Sequence, residues 1–244
     1  MSDLVAMSTR ASVVIQLITG LVGAYGLTLP LTPEDQSLNQ VLWLEMIVQV
    51  IEFLFYLGFL KILNVVTLTQ SRYFDWFLST PVMLFTTALY FTYEQKRRTN
   101  ATEEQLTVEG FAKKEWRPLV AMAVLNAAML LVGFAAEHGF LPRWLAFVVG
   151  TACLCGAFWI LYTEFAEGTP YTEGLFWFMF AVWSSYGLAF LAPAVPKNVA
   201  YNVLDIIAKN FFGVFLFVQI ARKSAAIKEK EDGGRSKTVA SQEV

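Results

Sequence analysis

Histidine, cysteine and charge are all scarce in this sequence, and each scarcity excludes a class of protein. The one histidine, His138, stands beside a predicted loop, so a histidine-based metal centre is excluded and we expect no metal site. The two cysteines, Cys153 and Cys155, are two residues apart in an apolar run and point to different faces, so they form neither a disulfide nor a metal site. Charged residues make up 16% of the chain, which is too few for an ordinary soluble domain.

Long apolar runs take the place of the missing charge. Hydrophobic residues make up 56% of the 244 residues, as in a protein that crosses the bilayer several times. A span needs about 20 apolar residues, and seven such runs occur, at 10–30, 38–61, 72–93, 117–137, 142–163, 172–192 and 198–221. The sequence therefore predicts an all-α membrane bundle of seven transmembrane helices over residues 1–223 and a charged, disordered tail over 224–244.

Lysine and arginine are concentrated at one end of the predicted bundle. The 94–117 connection and the 222–237 segment carry six each, whereas the connections at the other end carry four in all. Basic residues favour the cytoplasmic side of a membrane. We therefore expect a cytoplasmic C-terminus and, with seven spans, an N-terminus outside the cell.

The seventh run carries two opposite charges at its centre, Asp205 and Lys209. They are four residues apart, so they share one face of a helix. Charged side chains at this depth are rare in membranes and are usually functional. Two interpretations are open: a structural ion pair between helices, or a lysine that forms a Schiff base with a carbonyl compound and takes the aspartate as counterion.

The third run adds further charges, Arg72 and Asp75, near its predicted outer end, with Pro81 in its middle. If the third and seventh helices both run from outside to inside, Asp75 and Asp205 lie on the outer side of Lys209. Two carboxylates and one guanidinium would then surround the lysine nitrogen and balance its charge.

One motif joins these charges with aromatic residues. Its parts are Arg72-Tyr73-Phe74-Asp75-Trp76, then after two residues Ser79-Thr80-Pro81, and far downstream Asp205 and Lys209. The sixth run contributes Trp183-Ser184-Ser185-Tyr186 and Phe190, and the fifth contributes Phe147 and Gly150-Thr151-Ala152. In these residues the chain resembles the microbial (type I) rhodopsins, and the likeness extends over all seven runs.

The resemblance implies a protein that binds retinal. All-trans-retinal would be attached to Lys209 as a protonated Schiff base, with Asp75 as primary counterion and proton acceptor. Asp205 would be the second counterion, and Arg72 would orient both carboxylates. The other residues that the resemblance implies around retinal are Trp76, Thr80, Met83, Phe147, Gly150, Thr151, Trp183, Tyr186 and Phe190.

Two positions argue against an efficient pump. The family's outward proton pumps need a carboxylic acid on the cytoplasmic half of the third helix. Counting from Asp75, that position is Thr86, which cannot supply a proton at neutral pH. The family's chloride pumps have a neutral residue where this chain has Asp75, so a chloride pump is disfavoured as well.

Polar residues form stripes on three of the runs. Glu45, Gln49 and Glu52 on the second run follow the helical repeat and share one face. The first and seventh runs carry further polar residues at Ser12, Gln16, Asn202 and Asn210. Carboxylates buried in a membrane must meet water, partners or protons. These stripes therefore either line one water-filled path or form a closed hydrogen-bond network between helices.

Within the family, these stripes are similar to those of the channelrhodopsins, and the chain looks most like the channel-forming rhodopsins of giant viruses. Glu52, Ser12 and Asn210 match the three residues of a central gate in that group. Glu45 matches a glutamate of an inner gate. One departure is that Thr80 and Asn126 stand where algal channels have a cysteine and an aspartate.

The expected function is therefore that of a light-gated cation channel in a membrane, and not of an enzyme. Its partners would be the lipid bilayer and monovalent or divalent cations, with no nucleic acid, and an oligomer is compatible with the sequence. The alternatives are a sensory photoreceptor that signals through a separate transducer and a weak light-driven proton transporter. The predicted ion pathway consists of Ser12, Gln16, Glu45, Gln49, Glu52, Asn202 and Asn210.

Overall fold

The computed structural model describes residues 2–99 and 106–242, and for 231–242 it describes the backbone alone. Helices and short turns account for the described part of the chain, which contains no strand. The helices are α1 (Asp3–Gly26), α2 (Gln36–Phe59), α3 (Val65–Arg98), α4 (Val108–Lys114), α5 (Trp116–Glu137), α6 (Arg143–Leu161), α7 (Pro170–Leu191), α8 (Ala194–Asp205) and α9 (Phe211–Gln242). A 3₁₀ turn, Pro33–Asp35, precedes α2, and π-helical turns follow α6 (Tyr162–Ala166) and α8 (Ile206–Asn210).

Local capping residues explain where several helices begin. Ser2 accepts a hydrogen bond from the Val5 amide at the start of α1, at 3.4 Å. Asn64 accepts from the first amides of α3, and Thr169 accepts from the third amide of α7 after a proline at the first helical position. Such side chains satisfy amides that the helix itself cannot bond.

The predicted bundle of seven long helices is confirmed, with one difference in character. Six helices of the described chain are long and apolar enough to cross a membrane. The remaining long helix, α3, is 34 residues long and carries charged residues towards both ends, at Arg72 and Asp75 and within 94–98. It packs against α2, α5 and α8, and its buried Arg72 donates to Asn198 on α8.

The seventh run is continuous through the bundle but is not a regular α-helix. Helix α8, the π-helical turn Ile206–Asn210 and α9 follow one another without a loop. The turn contains Lys209, so the lysine stands where the helical hydrogen bonding changes. Single π-helical turns inside long helices are frequent at functional sites.

The final helix extends beyond the predicted transmembrane domain. The sequence predicts a disordered tail over 224–244, whereas the backbone of α9 is helical to Gln242. Ala225, Ala226 and the lysines and glutamates that follow favour helix, so a polar composition does not by itself end the helix. Residues 243–244 lie outside the described residues.

The interior of the bundle has two parts of different chemistry. One part, between α3, α5, α6 and α7, is packed with aromatic and aliphatic side chains such as Phe158, Phe176 and Trp183. The other, between α1, α2, α3 and α8, contains buried polar side chains. Lys209 lies where the two parts meet, because its side chain lines the apolar cavity and reaches the carboxylates on the polar side.

Candidate functional site

A buried lysine faces two buried carboxylates at the centre of the bundle. The Nζ atom of Lys209 is 2.7 Å from Oδ2 of Asp75 and 3.8 Å from Oδ1 of Asp205. All three side chains are at most 2% exposed. Helix α3 and the seventh helix thus bring together the three residues that the sequence singled out as a charged centre.

Asp205 is surrounded by hydrogen-bond donors. Its Oδ1 accepts from the Trp76 indole at 3.2 Å and from the Tyr186 hydroxyl at 2.8 Å. Its Oδ2 accepts from the Tyr56 hydroxyl at 2.6 Å and from Arg72 at 3.4 Å. Four donors from α2, α3 and α7 therefore fix the position of this carboxylate.

Arg72 extends this network away from the lysine. Its guanidinium donates to the Asn198 side chain at 3.0 Å, to the Tyr56 hydroxyl at 3.0 Å and to the Asn202 side chain. The resemblance implied that Arg72 orients both carboxylates. Among the described contacts, the guanidinium bonds to Asp205 and not to Asp75, because its donors are taken up by α2 and α8.

Asp75 has far fewer partners than Asp205. Its Oδ2 accepts from Lys209 at 2.7 Å, whereas its Oδ1 is buried and has no hydrogen-bond partner among the described residues. A buried carboxylate oxygen without a donor is costly. Of the two carboxylates, Asp75 is therefore the one that has an oxygen open to a further donor.

A cavity of about 300 Å³ extends from Lys209 into the apolar part of the bundle. All ten residues that the resemblance implied around retinal line it, namely Trp76, Thr80, Met83, Phe147, Gly150, Thr151, Trp183, Tyr186, Phe190 and Lys209. The lining is mostly apolar and aromatic, and the lysine amine is its one basic group. A cavity of this kind suits an elongated apolar molecule that reacts with an amine.

Sequence reasoning missed other lining residues. Tyr73 lines the cavity one turn before Trp76, and Tyr201 packs edge-on against Trp76 at 4.9 Å between ring centroids. Tyr73 could have been found, because positions 73, 76, 80 and 83 follow the repeat of one helical face. The lining residues on α5, Met129, Leu130 and Gly133, carry no such signal.

Thr80 and Asn126 are brought together, as the comparison with algal channels suggested for their positions. The Asn126 amide donates to the Thr80 hydroxyl at 2.7 Å, and that hydroxyl donates to the Trp76 carbonyl at 2.6 Å. Thr80 also lines the cavity. The pair therefore links α3 and α5 directly beside the predicted chromophore site.

The residue that follows the lysine is the hub of a second polar cluster. The Asn210 side-chain oxygen accepts from Thr19 at 2.5 Å and from Gln49 at 3.1 Å. Its amide donates to Oε2 of Glu52 at 3.3 Å. Asn210 thus joins α1, α2 and the seventh helix one residue beyond Lys209.

Two of the three residues predicted to form a central gate meet in this cluster, and the third does not. Glu52 and Asn210 are in contact, whereas Ser12 donates to the backbone carbonyls of Ser8 and Asn202. Thr19, two turns further along α1, contacts Asn210 instead. A sequence stripe gives the face of a helix but not which turn meets a neighbouring helix, so Thr19 was missed.

Several polar atoms along this line are buried without partners. Both polar atoms of the Gln16 side chain and Oε1 of Glu52 lack a hydrogen bond among the described residues. Gln16 and Glu52 are at most 1% exposed. Gln49 donates only to the backbone carbonyl of Gln16 and to Asn210. Hydrogen bonds link the side chains of this network, but several of its polar atoms have no partner among the described residues.

Glu45 lies apart from the Asn210 cluster and bonds to α3. Its carboxylate accepts from the Thr86 hydroxyl, and its side chain is buried at 4% exposure. Thr86 occupies the position at which the sequence analysis found no proton donor. A carboxylate from α2 therefore contacts the side chain at this position of α3.

The seventh predicted pathway residue, Asn202, belongs to the Arg72 network. Its oxygen accepts from Arg72, and its amide donates to Ser8 at 2.7 Å and to Thr9 at 3.1 Å. All seven predicted pathway residues are buried, but they form separate groups. Asn202 and Ser12 lie with Arg72, while Gln49, Glu52 and Asn210 lie beyond the lysine.

Comparison with known proteins gives the same picture of the whole chain. A family model described as "Bacteriorhodopsin-like protein" matches residues 7–223. A search of curated proteins found no match. Among solved structures, viral rhodopsin OLPVRII is similar at 25% identity with a TM-score of 0.77, over 90% of this chain and 99% of that one.

Two structures of lower identity share the fold. Halorhodopsin, titled a light-driven chloride pump, matches at 18% identity and a TM-score of 0.67, over 92% of this chain and 99% of its own. The light-driven proton pump LR (Mac) from Leptosphaeria maculans matches at 15% identity and a TM-score of 0.67, over 91% and 98%.

Proposed function

We propose that this member of the bacteriorhodopsin-like protein family, a multi-pass integral membrane protein of the microbial rhodopsin type, is a light-gated cation channel. Proteins of this family bind a retinal chromophore, and we assign all-trans-retinal to Lys209. One observation carries the channel proposal. The residue bonded covalently to Lys209 is Asn210, the hub of a buried polar cluster that contains a carboxylate with an unpartnered oxygen.

The residues of the cavity fit retinal in chemistry. The lysine amine is the group that condenses with an aldehyde, and the apolar lining suits a polyene. Trp183 and Phe190 would pack against it, and Thr80 would lie beside it. When it is bound, retinal supplies an isomerisation driven by visible light.

The two carboxylates would then have different tasks. Asp205 is held by four donors, so it keeps its position. Asp75 contacts the lysine nitrogen through one oxygen and has a free second oxygen. When the nitrogen moves, Asp75 can accept a proton from it. Asp75 then no longer carries a negative charge beside Asp205 and Arg72.

Lys209 is coupled to the second cluster through the backbone. Lys209 and Asn210 share the π-helical turn Ile206–Asn210, whose hydrogen bonding differs from that of the flanking α-helices. A displacement of the lysine therefore shifts Asn210, which holds Thr19, Gln49 and Glu52 together. Release of these contacts would let water enter between α1, α2 and the seventh helix.

The charges along the predicted ion pathway favour cations. Glu52 and Glu45 supply carboxylates on α2, and the predicted pathway residues include no lysine or arginine. Rings or lines of carboxylates select cations in channels. The unpartnered atoms of Gln16 and Glu52 are ligands that a partly dehydrated cation or a water molecule would bind.

Whole-cell recording of the photocurrent against voltage tests this function. A channel gives a current that reverses at the cation equilibrium potential, whereas a current of one sign at every voltage would refute the proposal. Glu52→Gln should lower the current or change its reversal potential, because it removes the carboxylate beside Asn210. Glu109→Gln is the matched control, since that side chain is 78% exposed on α4.

A weak proton transporter is the second candidate, and one contact favours it. Glu45 bonds to Thr86, so an acid lies close to the position of a pump's proton donor although it comes from α2. In this case Glu45→Gln should slow the recovery of the light-induced absorption change and remove a current that keeps its sign at all voltages. If the protein is a channel, the Glu45→Gln variant would instead give a current whose reversal potential follows the cation gradient.

A further inference from the structure

The cavity beside Lys209 reaches the side of the bundle between α6 and α7. Three of its lining residues are exposed: Thr151 and Cys155 on α6, and Leu188 on α7, which is 66% exposed. Both helices are long and apolar enough to span a membrane, so this surface faces lipid. The same cavity is thus lined by a buried lysine at one point and by lipid-facing residues at another.

Small residues leave space between the two helices at this place. Gly150 and Thr151 on α6 and Ser184 and Gly187 on α7 all line the cavity. A Cβ atom built on Gly187 would lie 3.5 Å from the Phe147 ring, so larger side chains would close the gap. We refer to the gap edged by Thr151, Cys155, Ser184 and Leu188 as the lateral slot.

A charged cluster packs against Phe190, one of the lining residues of the cavity. Lys197 pairs with Glu137 at 2.5 Å, and Arg143 lies 3.9 Å from the same carboxylate. Both cations stand over the ring of Phe190, a lining residue, at 5.3 and 5.8 Å. An apolar ligand entering from this side would have to break an ion cluster and cross water in which it is insoluble.

We infer that the lateral slot is the entrance through which the chromophore passes from the bilayer to Lys209, an inference that depends on the proposal that Lys209 binds retinal. Retinal is apolar and partitions into lipid, so its concentration is highest where the slot opens. The lining residues of the slot guide an aldehyde from the lipid face to the amine.

Uptake of retinal by the full chain in lipid vesicles tests the inference. The protein is produced without retinal, mixed with vesicles that contain it, and followed by the growth of visible absorption. Leu188→Trp should slow this growth about tenfold or more, a change of about 1.4 kcal/mol in the barrier. Leu188→Ala should make the visible absorption grow faster, and a folding defect cannot produce such an increase.

Matched variants distinguish the effect of narrowing the slot from the effect of adding a large side chain elsewhere on the bundle. Val148→Trp adds the same side chain to an α6 residue that is 57% exposed and does not line the cavity, so uptake should stay at the wild-type rate. Cys155→Trp narrows the slot from the α6 side and should slow uptake as Leu188→Trp does. Thermal melting of the helical circular dichroism identifies any variant that fails to fold.

The possible outcomes distinguish this inference from the function on which it depends. If the wild-type chain never develops visible absorption, retinal binding itself is refuted. If it does, and Leu188→Trp, Cys155→Trp and Val148→Trp all load at the wild-type rate, the slot is not the entrance and the proposed function stands. Opposite changes for Leu188→Trp and Leu188→Ala support the slot.

Discussion

Two polar regions flank Lys209, and they differ in how completely their hydrogen bonds are satisfied. On one side, Asp205 has four donors and the Arg72 guanidinium bonds to Tyr56, Asn198 and Asn202 as well as to Asp205. On the other side, Glu52 has one partner for its carboxylate, and the Gln16 side chain has none among the described residues. Both regions are equally buried.

Burial and polarity therefore do not by themselves distinguish an anchor from a gate. A buried polar network in which every group is bonded is rigid, whereas a partly satisfied one is costly and ready to rearrange. We therefore assign the Asp205 side to holding charge and geometry, and the Glu52 side to movement and conduction.

Removal of Lys209 should abolish both the visible absorption and the photocurrent. Lys209→Ala leaves no amine in the cavity, so reconstitution with retinal should give no visible absorption band and no photocurrent. Lys223→Ala is the control, because that lysine pairs with Asp35 outside the cavity and its loss should leave the band in place. A visible band in Lys209→Ala would exclude this residue as the attachment point.

Loss of the anchoring cation should strongly destabilise the protein. Arg72→Ala leaves Asp205 as a buried charge with one donor fewer and frees Asn198 and Asn202, at a cost of about 3–5 kcal/mol. Arg97→Ala breaks an ion pair whose arginine is 55% exposed and should cost about 0–1 kcal/mol. Thermal unfolding measures both, and equal losses would show that the Asp205 side is not an anchor.

Apolar replacement of one amide on each side compares the two regions directly. Asn202→Leu removes partners from Arg72, Ser8 and Thr9 and should cost about 1–3 kcal/mol. Gln16→Leu removes a side chain without partners, so stability should hold or rise while the photocurrent falls. A Gln16→Leu variant that unfolds as early as Asn202→Leu would argue that Gln16 is structural.

A smaller effect is expected at Thr19, the contact that sequence reasoning missed. Thr19→Val removes a donor to Asn210, a loss of about 0.5–1.5 kcal/mol that corresponds to roughly a two- to tenfold change in the rate at which the current decays in the dark. Thr19→Ser keeps the hydroxyl and should restore the wild-type decay. If both variants decay at the same altered rate, the hydroxyl is not the cause.

From the sequence follow the fold and ten of the residues that line the cavity beside Lys209. Apolar runs of membrane-spanning length can form only helices in lipid, because every backbone amide must be bonded within the segment. The spacing of Asp205 and Lys209 fixes them on one helical face whatever the neighbours are. All ten residues implied around retinal line the cavity because they belong to local motifs, such as 72–81, whose side chains move together with one helix.

The tertiary structure alone decided which groups pair across helices. Arg72 contacts Asp205 and not Asp75, Thr19 and not Ser12 reaches Asn210, and Glu45 meets Thr86. Each of these contacts depends on the height at which two helices pack, and side-chain periodicity specifies the face of a helix but not its axial position. A displacement of one turn, about 5.4 Å, leaves the pattern of a stripe unchanged and replaces every partner.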